Sequence, residues 1–148
     1  MRKAPKLIEI LMTDYIVFFS AFAIIIGGGI GLYLVYGSIK DYWGFVFVGI
    51  AFLSLVRAIV RLIYIFKMFK IGIEVEAKIV KVFFYRSRAT LKFDYTFESA
   101  SYSNSNFLLR NSKSIKLSAG TQVSVLVDPS KPMKALIVSV YQATSNNL

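Results

Sequence analysis

The residues best suited to chemistry lie on one stripe inside an apolar run. In "SLVRAIVRLIY", residues 54–64, Ser54, Arg57, Arg61 and Tyr64 fall within roughly a quarter of a helix circumference at about 100° per residue. A guanidinium grips a carboxylate or phosphate through two parallel hydrogen bonds, so the stripe is a candidate site for an anionic lipid headgroup or a partner's carboxylate. The plainer expectation is that both arginines reach out to the inner membrane surface and bond Asp14. A voltage sensor would repeat arginine at every third position, and no third arginine follows here. Other reactive types are scattered. Glu74 and Glu76 share a strand face but have no further oxygen ligands near them in sequence for a divalent cation. Ser112, Lys113, Ser114 and Lys116 permit a Ser-Lys nucleophile on paper and read better as a polar loop. Histidine and cysteine are both absent, which removes the commonest general base, the usual pH switch, thiolate and imidazole metal ligands, and disulfides. The expectation is a protein without catalysis, cofactor or bound metal.

The elements that must position these residues follow from hydropathy. The chain has 148 residues, is 56% hydrophobic, carries a formal charge of +10 and has a mean hydropathy of +0.60, too apolar for one ordinary soluble domain. Residues 16–36 hold no charge and at ~1.5 Å per residue cover roughly 31 Å, the thickness of a bilayer core. Residues 43–66 form a second run after the short link "GSIKDY", so the two make an antiparallel helical hairpin within residues 15–70. Arg57 and Arg61 then lie ~21 and ~27 Å along the helix from Trp43, near the inner interface. Arg2, Lys3 and Lys6 precede the first span and Lys67 and Lys70 follow the second, while the link offers Lys40 beside Asp41. This bias predicts a two-pass protein of a bacterial inner membrane with both termini cytoplasmic, and an outer aromatic belt of Tyr36, Tyr42 and Trp43. Ser20, Ala23, Gly27 and Gly31 put small residues on one face of the first span for close helix packing, with the second span as the expected partner and self-association as the alternative. Residues 1–14 read as an interfacial amphipathic segment with Leu7, Ile8, Leu11 and Met12 on one face.

Beyond residue 70, period-2 patterns replace long apolar runs, predicting a membrane α+β protein whose hairpin is followed by a small antiparallel β-barrel or rolled sheet over residues 71–141 and a polar tail, 142–148. The clearest strand is "LKFDYTFE", with Leu91, Phe93, Tyr95 and Phe97 on one face. "VEAKIVKVFFY" is a longer first strand whose alternation shifts near Ile79 and Val80, as a bulge would cause. "VSVLVDP" and "ALIVSVY" are two more, and Tyr102 is expected to close a hairpin with the Tyr95 strand. The Ser/Asn-rich residues 99–118 carry no clear period. Asp128, Pro129 and Pro132 read as a rigid structural turn, since Asp bonds its own backbone two residues on and Pro fixes φ.

"GTQVSVLVDPSKP", residues 120–132, resembles the G-x-x-V-x-V-x-x-D-P-x-x-P closing signature of an uncharacterised bacterial membrane-protein family, a numbered domain of unknown function with one or two spans and a β domain. "GIEVEAKIVKV" and "FDYTFESASY" resemble that family's first strand and aromatic hairpin, with the departure that Glu98 to Ser101 lacks the glycine usual in the turn. The resemblance implies fold and location and brings no reaction. From residue 71 on there are ten basic and five acidic side chains, leaving +5, so a single-strand nucleic-acid binder is a competing reading. It is disfavoured because the aromatics sit on the apolar face of an alternating strand, and because a domain beneath an anionic leaflet has its own reason to be basic. The expected role is a membrane-anchored, non-catalytic interaction or assembly module, with membrane lipids and another membrane protein or further copies as partners. The alternative is an accessory subunit of a transporter or channel using the Arg57/Arg61 stripe.

Overall fold

The computed structural model describes residues 5–37 and 42–141. Arg2, Lys3, Lys40, Asp41 and the tail, all used in the sequence reading, lie outside the described residues. In chain order the elements are α1 (Leu7–Leu11), α2 (Tyr15–Tyr36), α3 (Tyr42–Ile71), β1 (Ile73–Tyr85), β2 (Arg88–Phe97), β3 (Ala100–Leu109), α4 (Ser112–Ile115), β4 (Gln122–Asp128), β5 (Lys131–Ile137) and α5 (Val138–Tyr141). They form two compact units, a helical one of Ile16–Ile63 and a second of Met1–Tyr15 with Tyr64–Leu148.

In the helical unit, glycine decides how closely α2 and α3 approach. A Cβ on Gly31 would lie 2.8 Å from Val48 Cγ2 and 2.9 Å from the Val48 nitrogen, and one on Gly44 would lie 2.8 Å from Val35 Cγ2. At Gly27 the same atom would meet Phe47 O at 3.6 Å, an ordinary contact. Pairing Val35 with Gly44, Gly31 with Val48 and Gly27 with Ala51 runs the helices antiparallel. Val17, Ser20, Gly27 and Gly31 are buried on α2, and Ala51 and Ala58 on α3. Ala23 is half-buried. The predicted small-residue face thus meets the second helix of the same chain, joined by Gly44, which the sequence reading did not single out. Outward-facing Phe22, Ile25, Phe45, Leu53 and Val60 leave the pair apolar on its outside as well. Both helices are long and apolar enough to cross a membrane, and only 17% and 11% of their most apolar windows is buried within the protein, unlike the core helix of a soluble domain.

The second unit is a five-stranded antiparallel sheet of order β3-β2-β1-β4-β5, curled into a nearly closed barrel. β1 is long because it serves two partners: its first half pairs with β4 and its second half with β2. The switch falls at a register shift between Ile79 and Lys81, where the period breaks in the sequence. There the Gly120 N–H donates to Ile79 O at 2.7 Å and Ile79 N–H donates to Thr121 O at 2.9 Å. Ala89, Leu91, Phe93, Tyr95 and Phe97 of β2 point inward in strict alternation, joined by Ala77, Ile79, Val123, Val125 and Val127. The β2–β3 hairpin pairs Tyr95 with Tyr102 as expected, and their rings stack at 5.8 Å. Its two-residue turn has φ of +48° at Glu98 and +65° at Ser99, the backbone of a type I′ turn built without glycine.

One expectation is corrected. Residues 135–141 are not one strand: β5 starts at Lys131 and stops at Ile137, and Val138–Tyr141 is a helical turn. Pairing with β4 ends at Ile137, and the turn that follows buries Val138, Val140 and Tyr141. Residues 99–118, which the sequence pattern leaves unassigned, supply β3 and α4. Asn111 caps α4 by accepting from the Lys113 and Ser114 N–H groups at 3.1 and 2.9 Å.

The edges of the sheet, β3 and β5, are joined by side chains. The buried Asn106 amide donates to Ala135 O at 3.1 Å and accepts from the Ile137 N–H at 2.9 Å, so it stands in for a peptide group of a missing ladder. Asn104 donates to Met133 O at 2.6 Å, and the Tyr95 hydroxyl donates to Pro132 O.

Candidate functional site

The barrel is fastened to the residues that lead into α2 and out of α3. Ahead of α2, Ile10 is fully buried, the Leu109 N–H donates to Thr13 O at 2.8 Å, and Asp14 forms an isolated bridge with Leu108. The Asp14 carboxylate, itself fully buried, accepts from the Tyr141 hydroxyl at 2.7 Å. Thr13 Oγ1 donates to Val140 O at 3.3 Å, and the Asn111 amide donates to Met12 O at 3.1 Å. At the other end, Ile65, Met68 and Phe69 of α3 are buried, and the Phe69 ring meets Tyr141 edge-on at 6.4 Å. A Cβ on Gly72 would come within 3.0 Å of Leu126 Cβ, so the chain leaves α3 directly against β4. Lys134 of β5 lies 5.8 Å over the Tyr64 ring.

Asp128 completes this fastening. Its Oδ1 accepts from the Ser130 N–H at 3.0 Å and the Ser130 hydroxyl at 2.6 Å, and Oδ2 pairs with Lys67 Nζ at 3.2 Å. The Ser130 hydroxyl bond is the main reason its pKa falls from 3.8 to about 2, burial opposes the shift, and the Ser130 N–H and Lys67 add to it. The predicted turn role of Asp128 is what the geometry displays, with an ion pair to α3 that sequence spacing does not reveal.

Arginines lie over aromatic rings at the end of the barrel where β1, β2 and β3 meet, and one of them reaches the start of α2. Arg88 lies 5.8 Å over the ring of Tyr15, the first residue of α2, and 5.6 Å over Phe107. Arg110 lies 5.5 Å over Phe84, and Arg86 5.5 Å over Tyr85. The Arg110 N–H donates to Ser87 O at 2.8 Å, joining the end of β3 to the β1–β2 turn. Away from this rim, an open concavity of about 620 Å³ is lined by Glu76, Lys78, Asp94, Tyr95, Tyr102 and Gln122, a mixed-charge polar surface. Burial raises the pKa of Tyr95 there.

The sequence-derived candidates separate. Ser54, Arg57, Arg61 and Tyr64 lie along α3, Arg57 exposed and the others half-buried. Tyr64 falls in the barrel unit and takes part in its fastening. Ser114 Oγ donates to Leu109 O at 2.9 Å and accepts from the Asn111 N–H at 2.9 Å, while Lys113 Nζ reaches Val140 O at 3.4 Å, so both serve local structure. Among the described residues no three His, Cys, Asp or Glu side chains are grouped to hold a metal. Phe93, Tyr95 and Phe97 are barrel core, which leaves them unable to stack on bases. Asn104, Asn106, Ile10 and the Asp14–Tyr141 pair were missed by sequence reasoning, and only the alternation of Tyr102, Asn104, Asn106 and Leu108 could have hinted at an inward face. Comparison of the chain with protein-family models, curated proteins and solved structures finds no match, so its role is argued from its own residues.

Proposed function

We propose that the chain is a two-span protein of the bacterial cytoplasmic membrane that holds a small β-barrel at the cytoplasmic face and acts without catalysis, as an anchored interaction or assembly module. The observation that carries this reading is the fastening of the barrel to both helix-flanking segments through Ile10, Asp14, Lys67 and Met68. The all-round apolar surface of α2 and α3 supports the spans, and Lys6, Lys67 and Lys70 at the barrel end support its cytoplasmic placement. The mixed-charge concavity beside Tyr102 is the surface offered to a membrane-protein partner or to another copy.

Two measurements test this. Impermeant labelling in intact cells should modify a cysteine at Ser38 and spare one at Ser145, and the opposite pattern overturns the orientation. A photo-crosslinker at Ser103, beside the concavity, should yield a defined protein adduct or a self-adduct in native membranes. Nucleic-acid adducts would favour the single-strand binder, and no adduct would remove the interaction reading.

A further inference from the structure

The rim around Tyr15 has a composition that barrel folding does not require. Phe83, Phe84, Tyr85 and Phe107 are exposed on a domain with ample aromatic residues already in its core. No acidic residue lies in residues 81–93 or 107–127, while Arg86, Arg88, Arg110, Lys113 and Lys116 all do. The guanidiniums lie over neighbouring rings at 5.5–5.8 Å, and among the described residues none of the three is paired with a carboxylate.

The same unit carries a second patch of exposed apolar and basic groups, with Glu9 as its acidic member. Asn111 bonds Met12 O, which ties α4 to α1, and α1 turns Leu7, Ile8 and Met12 outward. Ile115 is exposed between Lys113 and Lys116. Exposed apolar groups interleaved with cations, gathered where an apolar helix begins, combine the two attractions that hold a protein to an anionic leaflet: apolar groups enter the headgroup layer, and cations meet phosphates. Arg88 stacks on Tyr15, the residue from which α2 runs on into uncharged sequence.

We infer that this rim is a binding surface for anionic phospholipid headgroups of the membrane that α2 and α3 cross, with Arg86, Arg88 and Arg110 as the phosphate ligands. The inference rests on the two-span reading given above. Phosphate is the group matched, since a guanidinium carries five N–H donors in a fork that fits its oxygens. The lipid is the source chosen over free phosphate because Phe84 and Phe107 flank the cations, and a small hydrated anion would leave those rings in water.

The test uses the full chain, purified in mixed micelles of phosphatidylglycerol and phosphatidylcholine, with bound lipid counted by mass spectrometry. Wild type should enrich phosphatidylglycerol, and Arg86→Gln, Arg88→Gln and Arg110→Gln combined should lower the enrichment roughly tenfold. Replacing the same three by Lys should keep most of it. Because the Gln variant could misfold, wild type is also measured across salt, where molar NaCl should abolish the enrichment and millimolar inorganic phosphate should leave it in place. No enrichment by wild type at low salt, or enrichment indifferent to salt, overturns the inference, as does competition by inorganic phosphate. Carbonate extraction of cell membranes separates the two readings. A chain that stays in the membrane without preferring anionic lipid refutes the rim alone, whereas a chain released by carbonate refutes the spans.

Discussion

Asn106 makes two of the four side-chain hydrogen bonds that close the barrel, and its removal should be costly in proportion to what it pairs. Its amide is buried and satisfies Ala135 O and Ile137 N–H, two groups that a closed ladder would pair with backbone. Truncation to Ala leaves both unpaired in a dry seam, each costing about 1–3 kcal/mol, so Asn106→Ala should destabilise the barrel by about 2–5 kcal/mol. For a unit of this size that is a fall in Tm of roughly 8 °C or more. Asn106→Leu recovers some apolar burial and should cost less than Ala, while Asn106→Asp keeps the acceptor, loses the donor and sets a carboxylate against Ala135 O. Ser105→Ala, one residue away and exposed, should stay within about 0.5 kcal/mol of wild type. Thermal unfolding of the full chain in detergent, with amide exchange at Ile137, reads both stability and location. An Asn106→Ala protein that melts with wild type and keeps its Ile137 amide protected would refute the seam argument.

The turn after β2 should be improvable: Glu98→Asn with Ser99→Gly relieves two positive-φ residues and should raise stability by about 1 kcal/mol, whereas Ser99→Ala should give no gain, both read by thermal melts. In the helix pair, Gly31→Ala should weaken packing by about 1–3 kcal/mol because its Cβ meets the Val48 backbone, while Gly27→Ala should be nearly neutral, as compared in detergent melts. Asp128 has a folded pKa of about 2, below its ordinary 3.8, so the stability it contributes is present above pH 3.8 and lost as pH falls through about 2. Asp128→Asn should therefore be less stable at neutral pH and show a shallower loss in that acid window, measured by unfolding at a series of pH values.

What the sequence determined by itself were the features whose cause is local. An uncharged run as long as a bilayer is thick gives α2 wherever it sits, and strict alternation in "LKFDYTFE" gives an inward aromatic face in any sheet. The Tyr95–Tyr102 pairing follows from a two-residue turn, which fixes register, and the bulge beside Ile79 follows from a broken period. The Asp128 turn is legible because the residue bonds its own chain two positions on. What only the tertiary structure decided depends on partners far along the chain. "SYSNSN" shows no hydrophobic period because Asn104 and Asn106 belong inside only when the β5 backbone, about 30 residues away, supplies their partners. Asp14 is tolerable in a dry interior only with Tyr141 beside it, 127 residues later, and Ile10 turns inward only because the barrel offers a surface to cover. The final valines form a helical turn rather than a strand, and that turn brings the Tyr141 hydroxyl to Asp14 and the Tyr141 ring to Phe69, partners the local pattern does not show. The arginine–ring contacts are likewise a product of folding, because Arg88 meets Phe107 and Tyr15, and Arg110 meets Phe84, across segments far apart in the chain.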